Sequence, residues 1–275
     1  MAVFLIVASC GETDQLEEGA ELDPIVLPAE IIVIGDFGTG WESQYAVARA
    51  MRSEVADMDI DLFLTTGDNF YNDNIEEIWE QPYGWLDAIG IPLAAAWGNH
   101  DVESKTRRML VSETLEVPGR WYAADLGGGK LIVLDSNQTA SQAQLDWLVE
   151  ELETASAPTV ISFHHPAYSC GFYGNDQAVQ EHWVPLFEDY EVTLVLNGHE
   201  HHYERFAVKK TNYVVTGGGG HNLRGADGCP AETPPPLASN YTDHHFVLLE
   251  IGEGNVSGVV IASTGEIIDT FAIEY

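Results

Sequence analysis

The sequence predicts an α/β fold, a mixed β-sandwich flanked by helices in a single domain. Three observations carry that reading. Short, continuous apolar runs recur from residue 31 onward, as strands buried on both faces require. Segments with helical spacing of apolar residues alternate with them, and only strand-like runs follow residue 210. No linker composition interrupts residues 31–275, and 275 residues that are 45% hydrophobic can bury a substantial core.

Ile31–Asp36 reads as a buried strand closed by Gly and Asp. Gln44–Val55 reads as a helix burying Val47, Ala48, Met51 and Val55. Leu62–Thr66 and Pro92–Trp97 are further buried strands. Trp121–Leu126 and Leu131–Asp135 flank three glycines as a hairpin. Ser141 and Gln144 form a capping box ahead of a helix burying Leu145, Leu148, Val149 and Leu152. Thr159–Phe163 and Thr193–Leu196 are buried strands, and between them a helix from Val179 to Tyr190 is kinked by Pro185. Tyr213–Thr216, Phe246–Ile251, Val256–Ala262 and Ile267–Ile273 complete the strands. The Gly- and Pro-rich loop 217–240 is long enough to expect a function or mobility.

The net charge is −33, from 44 acids against 11 Lys and Arg. Such a surface repels phosphate backbones, so nucleic-acid binding is not expected. Residues 11–30 hold seven acids, no Lys or Arg, and two prolines, and read as a solvated tether.

Five predicted strands end in short polar clusters. These are Asp36-Phe37-Gly38, Gly67-Asp68-Asn69-Phe70-Tyr71, Gly98-Asn99-His100-Asp101, His164-His165-Pro166 and Asn197-Gly198-His199-Glu200-His201. The carboxyl ends of strands are where α/β sheets form sites. Carboxylate, amide and imidazole groups gathered there are costly to bury unless a cation satisfies them. Mixed oxygen and nitrogen donors suit Fe, Mn or Zn better than Ca.

This order of motifs resembles the purple acid phosphatases within the calcineurin-like metallophosphoesterases, and Gly198–Arg205 extends the match. The resemblance implies a four-layer α/β/β/α sandwich with two mixed sheets, and a hydrolase of phosphate monoesters with two metal ions, Fe(III) with Fe(II), Zn or Mn. It places Asp36, Tyr71 and His201 on the first metal, Asn99, His164 and His199 on the second, and Asp68 between them. It further implies a metal-bound hydroxide as nucleophile, with His100 beside the leaving oxygen as catalytic residue. Asp101 either orients that imidazole as a second catalytic residue or caps its loop. His165 and Tyr173 are candidate substrate-binding residues. Tyr173 stands where small relatives carry a His before a Gly.

His182, His221, His244 and His245 are read as helix, loop and strand-start residues without a site role. The alternative functions are a phosphodiesterase or nucleotide hydrolase on the same metals, or a non-catalytic metal-binding surface lipoprotein. Tyr83, Trp85, Tyr168, Phe172 and Tyr173 either stack on a substrate's aryl or nucleobase group or pack on each other.

Residues 1–10 resemble the end of a bacterial lipoprotein signal, with Val7-Ala8-Ser9-Cys10 at the lipobox, although the apolar run is short and no basic residue precedes it. That resemblance implies an exported, periplasmic or membrane-anchored protein lipidated at Cys10. Cys170 and Cys229 then either pair as a disulfide, which export permits, or remain two free thiols.

Overall fold

The computed structural model describes residues 19–226 and 228–275. The signal-like segment and Cys10 lie outside them. The chain runs β1 (Ala20–Glu21), β2 (Ala29–Ile34), α1 (Glu42–Glu54), β3 (Leu62–Thr65), α2 (Gln81–Ile89), β4 (Leu93–Ala95), α3 (Asn99–Val102), α4 (Lys105–Thr114), β5 (Tyr122–Leu126) and β6 (Gly129–Val133). It continues with α5 (Gln142–Thr154), β7 (Thr159–Ser162), α6 (Gln177–His182), α7 (Val184–Asp189), β8 (Leu194–Asn197), β9 (Tyr203–Val208), β10 (Thr211–Thr216), β11 (Ala238–Asn240), β12 (His245–Ile251), β13 (Asn255–Ala262) and β14 (Ile267–Glu274).

Two mixed sheets form the sandwich, as expected. One has the order β1-β5-β6-β7-β8-β10-β9-β11, the other β14-β13-β12-β2-β3-β4. Strand periodicity decides which side chains meet. On β6 through β10, Leu131, Val133, Val160, Leu194, Leu196 and Val214 point into the core shared with the second sheet. Their neighbours Ile132, Ile161, Val195 and Val215 point outward onto Leu148, Val179 and Phe187 of the covering helices and onto Trp183 between two of them. Strands buried on both faces need the continuous apolar runs seen in the sequence.

The parallel strands dictate where the site falls. β2, β3 and β4 run parallel in one sheet; β7, β8 and β10 run parallel in the other. Their carboxyl ends meet at one edge, so the polar clusters from both sheets converge there.

Several local expectations change. Residues 19–28 are not a free tether: β1 pairs with β5, and Leu22 and Ile25 amides bond to the carbonyls of Ala123 and Asp125. Leu22, Ile25 and Leu27 pack on the core because every second or third residue of this acidic stretch is apolar. Between β3 and β4, where the sequence offered no regular element, lie a π-helical turn at Glu76–Glu80 and then α2. There Tyr83 is fully buried rather than offered to a ligand, and Trp85 packs against the core. Tyr168 is likewise buried. Helix α4 lacked a sequence signal because Val111 is its single buried residue. Trp183 separates α6 from α7, with Pro185 in the first turn of the second. Ser141 caps α5, but the Gln144 side chain turns away from the capping box to brace the backbone of Asp135 and Gln138.

Deleting residues 1–28 is expected to lower unfolding free energy by about 2–4 kcal/mol relative to deleting residues 1–18, since three half-buried aliphatic side chains are lost. Urea denaturation of the two truncations measures this, and equal midpoints would restore the tether.

Candidate metal centre

Asp36, Asp68 and His199 are the residues that turn each strand end toward the site, and all three have positive φ, at 56°, 52° and 69°. Non-glycine residues in this conformation are held there by their surroundings, and they concentrate at functional sites. The adjoining glycines permit the close approach: a Cβ on Gly98 would lie 2.1 Å from the Asp68 carboxylate, and one on Gly198 2.5 Å from that of Asp36.

Two groups of three side chains result. In one, the Tyr71 hydroxyl lies 3.2 Å from Asp36 Oδ1 and 3.3 Å from His201 Nε2, which is 3.4 Å from the same carboxylate oxygen. In the other, His164 Nε2 lies 3.2 Å from both Asn99 Oδ1 and His199 Nδ1. Asp68 sits between: its Oδ2 is 3.4 Å from His164 Nε2, its Oδ1 accepts the His100 amide, and its charge acts on Tyr71. One donor atom each from Asp36, Asp68 and His164 falls within 4.8 Å of the others. All seven residues expected around the metals are therefore brought together.

The donor set fits cations. His164 Nδ1 faces the Thr66 carbonyl and His201 Nδ1 the Asn222 carbonyl, so each must donate there and present Nε2 inward. Asp36 and Asp68 are wholly buried, and no Lys or Arg pairs with either among the described residues. Burial opposes charge on Asp68, but His164 outweighs it and holds the carboxylate ionised. Burial also opposes a proton on His164, yet Asp68 and Asp36 prevail and push it up to about 9. That proton serves one neighbour, whereas a metal would serve all of them and release it. Burial and His164 hold His199 down to about 2, leaving it neutral.

Around this centre some expectations are corrected. Asp101 does not touch the His100 ring. Its carboxylate accepts the amides of Asn69, Phe70 and Gly98 and the Asn69 side chain, clasping two site loops. The His100 ring pairs through Nδ1 with Glu103 instead, at 2.9 Å. His221 is a site residue: its ring stacks on Tyr71 at 4.4 Å and its Nδ1 lies 3.1 Å from His201 Nδ1. A histidine in a glycine-rich loop offered no signal for this. His165 lies against His199 with centroids 4.5 Å apart, and Ser136 bonds both its amide and its Nδ1. Burial, then His164, lowers His165 to about 3. Tyr173 stacks on His199 at 4.4 Å and stays half-exposed beside Phe172. His245 is a core residue bonded to Thr216, and His244 bonds the His221 carbonyl. Cys170 and Cys229 form a disulfide.

The calcineurin-like phosphoesterase family model matches residues 29–203, and the chain belongs to that family. It is a metal-dependent phosphoric ester hydrolase, from a family whose purple acid phosphatase members imply a dinuclear metal site. Among known proteins it is similar to purple acid phosphatase 3 of Arabidopsis thaliana, with 24% identity across 97% of this chain and 82% of the relative. Purple acid phosphatase 17 of the same plant is 25% identical, across 96% and 86%. In fold it is similar to a purple acid phosphatase from yellow lupin seeds (TM-score 0.71, 19% identity, 90% of this chain and 53% of that one). GAP50, the anchor in the inner membrane complex of Plasmodium, shares the fold too (TM-score 0.77, 17% identity, 90% and 88%).

Asp101→Ala should cost about 3 kcal/mol or more of stability, because four buried N–H donors lose their acceptor; Glu103→Gln should cost little, and unfolding midpoints compare them. A second expectation concerns acid. Burial holds His245 at about 4, below its ordinary 6.5. The unfolded chain therefore binds a proton that the native state refuses, and the stability His245 gives above pH 6.5 is lost as pH falls toward 4. The slope is about 1.4 kcal/mol per pH unit for one such group. His245→Gln should flatten the pH dependence of unfolding in metal-free protein by that amount.

Proposed function

We propose that the chain is a phosphate monoesterase of the acid phosphatase type. Its metals are held by Asp36, Tyr71 and His201 on one side and by Asn99, His164 and His199 on the other, with Asp68 reaching both. The observation that carries this is the pair of three-residue clusters on either side of Asp68. Fe(III) with Fe(II), Zn or Mn suits the donors, and Tyr71 supports a ferric ion at the first position. Burial and the charges of Asp36 and Asp68 raise Tyr71 well above its ordinary value, so it becomes a phenolate when a strong cation opposes those charges.

Bound metals would neutralise the phosphate, polarise its P–O bonds and acidify water toward neutrality. The chain's own groups do the rest. His100 is part-exposed at the mouth, beside Tyr71 with centroids 4.6 Å apart, and Glu103 holds its Nδ1, leaving Nε2 to hydrogen-bond the leaving oxygen. Ser136 Oγ accepts the His165 amide and lies 2.8 Å from Nδ1; with its hydroxyl donating there, His165 carries its own proton on Nε2. Kept neutral by burial, it donates to a phosphoryl oxygen. Tyr173 offers its hydroxyl at the rim.

The exposed Phe172–Tyr173 pair beside His199 favours a second reading, a nucleotide or diester hydrolase on the same metals. The disulfide supports an exported location.

Turnover of a matched aryl phosphate monoester and diester by metal-loaded protein, with metal content and visible absorption, tests the reading. Monoester preference, two metals per chain and a visible band lost in Tyr71→Phe are expected. A diester preference would move the protein to the second reading. A band retained in Tyr71→Phe would remove Tyr71 from the metal.

A further inference from the structure

In a chain with 11 Lys and Arg against 44 acids, the cations near the site are mostly committed elsewhere. Arg107 pairs with Glu103 and bonds the His100 carbonyl, and Arg120 pairs with Asp135 while lying over Trp97. Arg224 differs. It pairs with no carboxylate among the described residues, and its Nη1 is buried without a hydrogen-bond partner. Its guanidinium lies over the rings of Tyr173 and Phe172, 4.7 and 5.4 Å from their centroids. Tyr173 in turn stacks on His199, so the charge is held one aromatic ring away from the metal cluster.

The arrangement is built in from both loops. On one side, the Arg224 amide donates to the His201 carbonyl, and His201 donates to the Asn222 carbonyl two residues earlier. On the other, the buried Glu200 carboxylate accepts three successive amides, those of Phe172, Tyr173 and Gly174. The Cys170–Cys229 disulfide joins the two loops close to both partners of the stack. A guanidinium held against ring faces still has N–H groups to offer a ligand, and its planar fork matches phosphate oxygens two at a time.

We propose that Arg224 is a specificity-determining residue that receives a second phosphoryl group, with Tyr173 and Phe172 holding the guanidinium at the rim. The substrate class favoured is one with two adjacent phosphates, a phosphoanhydride, over a simple monoester. This rests on the phosphoesterase reading above. One phosphoryl group occupies the metal cluster, and its neighbour extends along Tyr173 to the guanidinium edge.

Calorimetric titration of metal-loaded protein with methylphosphonate and with methylenebisphosphonate, which cannot be hydrolysed, tests this. Wild type should bind the bisphosphonate more tightly. Arg224→Gln should weaken bisphosphonate binding about tenfold more than methylphosphonate binding, the loss of one charge-assisted pair. Arg224→Lys, which keeps charge without the fork, should fall between. Equal weakening of both ligands, or no bisphosphonate preference in wild type, overturns the proposal while leaving the phosphoesterase intact. Failure of wild type to bind methylphosphonate or turn over an aryl phosphate would overturn both.

Discussion

Asp36 and Asp68 are buried carboxylates at the seam of two sheets, and among the described residues only imidazole, phenol, amide and backbone groups stand against them. Uncompensated charge at that depth is costly, so this seam depends on cations or on protons borrowed from His164. Much of the surrounding backbone follows from that demand. Positive φ at Asp36, Asp68 and His199 turns each side chain inward at the strand end. Glycines at 98 and 198 let neighbouring backbone lie against the carboxylates. The outward carbonyls of Thr66 and Asn222 fix the imidazole tautomers.

A second set of buried acids has a different task. Asp101 clasps the loops after β3 and β4, Glu200 gathers three amides under Tyr173, and Glu204 accepts from Ser169, Cys170 and Tyr241. Carboxylates satisfied by N–H and O–H donors can be buried where a bare charge could not. Two of these lie within the metal-binding motifs, Asp101 beside His100 and Glu200 between His199 and His201. The motifs therefore encode both the donors and the clasps that hold them. The rim is assembled from loops tied down in this way, and rigid loops on a scaffold are where specificity resides.

A shared fold does not by itself carry catalysis, which resides in the site grafted on it. The family to which the chain belongs marks it as an enzyme, and the complete donor set and a half-exposed His100 oriented by Glu103 agree with that.

Continuous apolar runs predict eleven of the fourteen strands within a residue or two, because strands covered on both faces leave that trace; β1, β9 and β11, short or rich in polar residues, leave none. The candidate ligands are legible in the sequence because each follows such a strand within a short motif. Helices α2 and α4 left weak traces, one interrupted by Pro82 and Gly84 and the other burying a single side chain. Asp101 was ambiguous in sequence, since a carboxylate next to a histidine can orient it or turn to the backbone, and only the position of Asn69 and Phe70 in space decided. His221, Arg224, Ser136 and Glu103 reach the site through loops whose paths no periodicity describes. Local sequence determined which residues could bind metal, through short-range strand and turn chemistry. Tertiary structure decided which sheet each strand joins, which loops cross, and which rings and charges meet at the rim, because those depend on contacts between residues far apart in the chain.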